Sequence, residues 1–319
     1  MTTLRRLTRD TFTGPWAGLP VAWTDDDRFD EATYRADVER CCLAGAPGVY
    51  TAGTTGEFYA QELDEFTAIA RATIDVCHAH NTPAMIGVTS TYTLGAMRRA
   101  AIAAELGADA IQLALPFWLP IDDRQVVPFC QQVSAAAGDM PLSIYDTART
   151  KHPLTLAEHE AIHAAVPNYL MVKAVASTVG ATPEGCRELS QVVNVFVGEH
   201  LWPSLVPHGA RGGCSSMIYW NPRLVLSVWK QIVAGNESVS RRWSEQVGPL
   251  LKFLFEEFGP KGFTDSAYDR LGGVAGGFLK TSLSCRAPYP HASAADAESL
   301  RNWYRQNFPE MLDLARESL

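Results

Sequence analysis

Eight short apolar runs, each rich in β-forming residues and each followed by a segment with helical spacing, set the strongest limit on how this 319-residue chain can fold. The runs occupy residues 18–23, 47–52, 83–88, 109–114, 140–145, 169–173, 192–197 and 213–218. Leu63, Phe66, Ala70, Thr73 and Val76 fall three or four apart on one helical face, as do Leu94, Met97 and Ala101, and then Val126, Phe129, Cys130 and Val133. The punctuation agrees. Gly45 and Pro47 end the first helix, Thr155 with Glu158 makes a capping box, and Thr182-Pro183 and Asn221-Pro222 open two more helices with proline at the first position. Eight βα units of roughly 25–30 residues predict a closed parallel (β/α)8 TIM barrel, because closure leaves no sheet edge unpaired. An open doubly wound sheet is the alternative, and no G-x-G-x-x-G follows the first strand to support it.

Past residue 233 the alternation stops. Trp243, Val247, Leu250, Leu251 and Leu254 begin an all-helical tail, with further helices expected over 267–279 and 294–306. The reading is a barrel with an N-terminal arm over 1–233 and a C-terminal helical domain over 234–319. The glycine-rich 272–277 segment either lets two helices approach closely or forms a loop.

A net charge of -8, with no basic cluster larger than Arg98-Arg99 or Arg241-Arg242, excludes a nucleic-acid partner. Seven scattered cysteines without a C-x-x-C pair suit buried thiols in a reducing compartment rather than a disulfide framework or zinc site. His78 and His80 lack partners at ligand spacing, so they read as a solvated helix end and no metal site is expected. Residues 1–13 are polar and basic with no signal-peptide core, and nothing approaches the ~20-residue apolar run of a membrane span. The expectation is a soluble, cytoplasmic protein.

In such barrels the active site lies at the C-terminal ends of the strands. Those ends carry Gly53-Thr54-Thr55-Gly56-Glu57, Phe117-Trp118, Tyr145 through Arg149, Lys173, Gly198-Glu199-His200 and Ser215-Ser216. Lys173 closes an apolar strand, and a buried ammonium is costly unless paired or neutralised. It is either a rim lysine with its charge in water or an amine with a lowered pKa. A neutral amine attacks a ketone to form an iminium, an electron sink for making or breaking the neighbouring C–C bond. A phenol such as Tyr145 can move the protons, and threonines framed by glycines offer N–H and hydroxyl donors to a carboxylate. The inventory describes a site for a 2-oxo acid.

The GTTGE turn after the second strand, Tyr145 closing the fifth, and Lys173 closing the sixth resemble the dihydrodipicolinate synthase and N-acetylneuraminate lyase family over nearly the whole chain. The resemblance implies a (β/α)8 barrel followed by a helical domain, with Lys173 as the Schiff-base lysine and Tyr145 as the proton shuttle. It implies that Thr54 and Thr55 bind the 2-oxo acid carboxylate, with Thr54 also in a proton relay, and that Arg149 takes the place of the arginine holding an aldehyde partner's carboxylate. It further implies a homo-oligomer, dimer or tetramer, needing no metal and no organic cofactor.

Two departures stand out. Asp146-Thr147-Ala148 replaces the Asn-x-Pro that usually follows the tyrosine, and Trp118 lies near where the synthases carry a second tyrosine, donated across a subunit interface. Trp118 and Phe117 are expected to wall the site for an apolar or aromatic substrate. Ser215 is a candidate substrate donor, and Glu57, Glu199 and His200 divide between substrate and structural roles. The expected activity is that of a class I lyase or aldolase acting on pyruvate or another 2-oxo acid with an aldehyde partner. The alternatives are 4-hydroxy-tetrahydrodipicolinate synthase and a catalytically altered barrel that only binds a 2-oxo acid.

Overall fold

A computed structural model describes residues 6–314, so residues 1–5 of the N-terminal arm and 315–319 of the tail lie outside the described residues. Eight parallel strands close into a barrel in chain order: β1 (Gly14–Gly18), β2 (Val49–Thr51), β3 (Ala84–Gly87), β4 (Ala110–Leu113), β5 (Leu142–Asp146), β6 (Tyr169–Ala174), β7 (Asn194–Phe196) and β8 (Ala210–Ser215). Closure is made by β1 against β8, in register from Gly14 opposite Gly212 to Ala17 opposite Ser215. The seven connections between strands carry the helices α1 (Glu31–Leu43) through α7 (Trp202–Leu205), one in each, and α8 (Pro222–Val233) comes after the last strand. The Thr155 capping box and the Thr182 and Asn221 caps form as their sequences dictate.

Two strands differ from the sequence reading. The first lies at Gly14–Gly18 rather than 18–23, and the apolar residues Leu19, Val21 and Trp23 leave the sheet while staying buried. GPWAG has poor intrinsic β-propensity; pairing on both sides places it there, not local preference. The last lies at Ala210–Ser215 rather than 213–218, with Met217–Tyr219 wound into a short 3₁₀ turn. Gly212 and Gly213 are what the neighbours require: a Cβ there would stand 2.7 Å from the Phe196 ring and 3.2 Å from Trp202.

After α8 come α9 (Glu237–Phe258), α10 (Asp265–Gly276) and α11 (Ala294–Asn307). The glycine-rich segment is helical and makes a close approach: a Cβ on Gly272 would lie 2.0 Å from the Trp220 ring. Trp220 Nε1 donates to the Asp269 carbonyl at 3.0 Å, fixing α10 against the segment that follows β8. This packing lays the first two turns of α10 across the C-terminal mouth of the barrel.

Candidate active site

Inside the barrel, Trp16, Tyr50, Met85, Ala110, Met171 and Phe196 form a core of their own. The two-residue period of a strand points Met171 and Lys173 to the same side, so Lys173 stands on top of that core rather than on the outer face. Its register partners are Tyr145 on β5 and Phe196 on β7. The ammonium lies 4.3 Å from the centre of the Tyr145 ring and donates to the Tyr50 hydroxyl at 3.5 Å. Tyr50 needs Gly18 beside it, because a Cβ there would sit 2.2 Å from its ring. Tyr50 was not picked out in the sequence, where it reads as one more apolar residue of a strand.

Burial pulls the Lys173 ammonium down, but Tyr50, Tyr145, Cys214 and Asp265 outweigh it and hold the amine well above the ordinary lysine range. This corrects the expectation of a pKa lowered by an apolar wall. The wall consists of two phenols, a thiol and a carboxylate. Lys173 must therefore lose a proton before it can act as a nucleophile.

Two cavities of about 420 Å³ each open at the mouth. Lys173, Tyr50, Thr55, Cys214, Asp265 and Asp269 border the first. Thr54, Tyr145, Arg149, Gln112, Phe117 and Asp265 are among those bordering the second. Asp265 and Phe263 border both and so stand at the boundary between them.

The threonine pair divides between these cavities. The turn that carries it is left-handed at Ala52 (φ 53°) and Glu57 (φ 55°) and closes with Glu57 N–H donating to the Thr54 carbonyl at 3.0 Å. Thr54 faces the second cavity. Thr55 is buried, and its hydroxyl donates to Asp269 Oδ2 at 2.5 Å. Glu57 is a structural anchor rather than a substrate ligand: its buried carboxylate accepts from Trp23 Nε1 at 2.5 Å and pairs with the buried Arg270 guanidinium at 2.5 Å. Ser266 Oγ donates to the Thr55 carbonyl at 3.0 Å. One helix therefore clamps the whole turn.

Asp269 is pushed up to about 7, chiefly by burial, against the lowering influence of the Thr55 hydrogen bond; Asp265 adds to the rise and Lys173 opposes it. Asp265 itself receives both arms of the Arg149 guanidinium, at 2.8 and 2.9 Å. Arg149 also donates to the Tyr145 hydroxyl at 3.2 Å. Neither acid lies at a strand end, so the barrel rule could not find them. The one available signal is their four-residue spacing, which puts both on one face of α10.

Other candidates fall elsewhere. Trp118 does not wall the site: it is 75% exposed and borders neither cavity. Its backbone carbonyl accepts from Lys151 Nζ at 2.8 Å. Phe117 does border the second cavity, edge-on to Phe58 at 5.8 Å. Ser215 borders the Lys173 cavity, but its hydroxyl donates to Glu199 Oε1 at 2.6 Å and accepts from Ile218 N–H, so it stitches β8 to the end of β7. Glu199 also accepts from Met217 N–H at 2.9 Å, a structural use of that carboxylate. His78 pairs with Asp109 and His80 with Glu39, and no metal-holding cluster occurs among the described residues.

Comparison with known proteins agrees with this geometry. Residues 11–303 match the model of the dihydrodipicolinate synthetase family. The 4-hydroxy-tetrahydrodipicolinate synthase of Natronomonas pharaonis is 27% identical over 262 residues, covering 80% of this chain and 86% of that one. Among solved structures, YagE, a prophage protein of the dihydrodipicolinic acid synthase family from E. coli K12 in complex with pyruvate, superposes with a TM-score of 0.81 at 20% identity, over 95% of this chain and 99% of that one. The Proteus mirabilis N-acetylneuraminate lyase does so with a TM-score of 0.81 at 15% identity, over 93% and 99%. With a barrel of this order, a lysine at the C-terminal end of β6 and a family match across nearly its whole length, the chain belongs to the dihydrodipicolinate synthetase family and, with it, to the lysine-dependent lyases.

Proposed function

We propose that Lys173 condenses with pyruvate or a closely related 2-oxo acid, and that the resulting iminium drives aldol cleavage or addition. The observation that carries this reading is the placement of Lys173 Nζ between two phenols, 4.3 Å from the Tyr145 ring and 3.5 Å from the Tyr50 hydroxyl, at the floor of a cavity. The neutral amine adds to the ketone carbon, and the carbinolamine expels water as the iminium forms. Loss of a proton from the adjacent carbon gives the enamine that attacks an aldehyde; the reverse sequence cleaves the C–C bond. Tyr145, reached by Arg149, hands protons between the reacting oxygen and solvent.

Thr54 supplies donors to the 2-oxo acid carboxylate. Thr55 contributes through the shape of the turn and through Asp269, because its hydroxyl is already committed. The chemistry runs on the imine alone, with neither metal nor organic cofactor. Incubation with pyruvate and borohydride in excess chelator should fix a reduced adduct on Lys173 and inactivate the protein. No adduct with any 2-oxo acid would refute the reading.

The same reading makes the protein a cytoplasmic homo-oligomer. All seven cysteines are free thiols, among the described residues no helix is long and apolar enough to cross a membrane, and Trp118 and Leu119 are 75% and 73% exposed, a surface suited to a second copy. A solution mass equal to one chain would rule the oligomer out.

A further inference from the structure

We infer that the carbonyl partner taken up beside the 2-oxo acid is an uncharged aromatic compound, and that Asp265 sets this preference by occupying Arg149. The inference rests on the imine chemistry proposed for Lys173. It concerns what the second cavity accepts.

The first observation is the state of Arg149. It is the cation at the mouth best placed to receive a carboxylate from a substrate in the Thr54 cavity, and a guanidinium binds carboxylates best as a two-armed fork. Here the fork is filled. Both NH1 and NH2 donate to the two oxygens of Asp265, and NH1 also reaches Tyr145. A carboxylate entering the cavity meets a neutral, half-exposed pair, both members of which border it. To bind Arg149 it must displace Asp265, leaving two carboxylates at one cation. Charge repulsion of this kind discriminates against anionic partners.

The second observation is the lining. Phe58, Tyr59, Phe117, Phe263 and Tyr289 border the cavity, and three of their contacts are edge-to-face: Phe58 with Tyr59 at 5.5 Å, Phe58 with Phe117 at 5.8 Å and Tyr59 with Tyr289 at 4.8 Å. Rings held at steep angles to one another leave a slot that another ring fills by stacking or edge contact. Thr54, Tyr145 and Gln112 border the cavity from the ends of β2, β5 and β4, together with four further threonines. An aryl aldehyde fits this lining, its ring among the aromatics and its carbonyl toward Tyr145. The enamine carbon then bonds to the aldehyde carbon, the C=O electron pair moves to oxygen, and Tyr145 supplies the proton. Water hydrolyses the iminium and frees Lys173, so the product is the 4-aryl-4-hydroxy-2-oxo acid, the sum of the two substrates.

The test has two arms. In the first, borohydride trapping with pyruvate alone reports on the imine, and a negative result there refutes the proposed function rather than this inference. In the second, with trapping positive, kcat/KM is measured with pyruvate and benzaldehyde, 4-carboxybenzaldehyde or succinic semialdehyde. The expected order places benzaldehyde at least tenfold above both acids. In Asp265→Asn, where Arg149 regains an unbalanced charge, the ratio for 4-carboxybenzaldehyde over benzaldehyde should rise at least tenfold, and Asp265→Glu should restore the wild-type ratio. Equal or better use of either acid by the wild type would overturn the inference, as would trapping without turnover of any aryl aldehyde. A ratio unmoved in Asp265→Asn would remove Asp265 from the explanation. The wild-type ranking needs no variant, so a poorly folding Asp265→Asn leaves the inference open to refutation.

Discussion

Replacing Asp269 by Asn should change how the protein's stability depends on pH, in a direction that the site geometry dictates. The carboxyl is buried, receives the Thr55 hydroxyl at 2.5 Å, and is raised from 3.8 to about 7, mainly by burial. The native state therefore holds this proton more tightly than the unfolded chain does. Between pH 4 and pH 7 the unfolded carboxyl has lost its proton while the native one keeps it, so stability falls as pH rises through that window and levels off above it. A displacement of about three units corresponds to roughly 4 kcal/mol across the window. Asn keeps the acceptor for Thr55 and the side-chain shape but carries no titrating proton. In urea unfolding at pH 4.5, 6, 7.5 and 8.5, the stability of the wild type relative to Asp269→Asn should decline by roughly 3 kcal/mol from the acid end to the alkaline end, the rest of the effect lying below pH 4.5. Parallel curves for the two proteins would show that Asp269 ionises in the native state as freely as in the unfolded one, and the reasoning would fail.

Two further outcomes are expected. Tyr50→Phe removes the strongest of the influences that raise Lys173, so the pH at which borohydride trapping with pyruvate is half-maximal should move down; an unmoved midpoint would mean that Tyr50 does not control the amine. Arg270→Ala leaves the Glu57 carboxylate buried without its partner, at a cost of roughly 3–5 kcal/mol, and urea midpoints should fall accordingly; a loss below about 1 kcal/mol would show that the pair contributes little.

The barrel was legible because its evidence is distributed. Eight apolar runs and the helical spacing between them each carry a weak signal, and closure is the one arrangement that satisfies all the edges. The ends of the barrel were misplaced for a matching reason. β1 and β8 close the barrel against each other, and their glycines are set by Tyr50 and Phe196 pressing from other strands and Trp202 from α7, a requirement that local propensity does not encode. Lys173 and Tyr145 stand out as candidates because strand ends are where such barrels place chemistry, and the structure sets the ammonium 4.3 Å from the centre of the Tyr145 ring. Trp118 misled because its size suggests a wall, whereas its loop turns it to solvent. Asp265 and Asp269 were invisible to any rule about strands, since their place at the mouth depends on how α10 lies against Trp220.

The helical segment after the barrel is therefore part of the site and not an appendage to it. Within two turns of α10, Asp265 meets Arg149, Ser266 holds the Thr55 carbonyl, Asp269 accepts the Thr55 hydroxyl and Arg270 pairs with Glu57. Three of these four contacts end on the GTTGE turn, whose backbone is left-handed at Glu57 and therefore needs outside support to persist. The fourth contact fills the Arg149 guanidinium. Holding the turn and presenting Asp265 to Arg149 are consequences of one docking geometry, so a change in how α10 packs would disturb both sets of contacts together. Residues at the α10–Trp220 contact, Gly272 above all, thereby constrain the chemistry without touching the substrate, because any side chain at Gly272 would lift α10 away from the mouth.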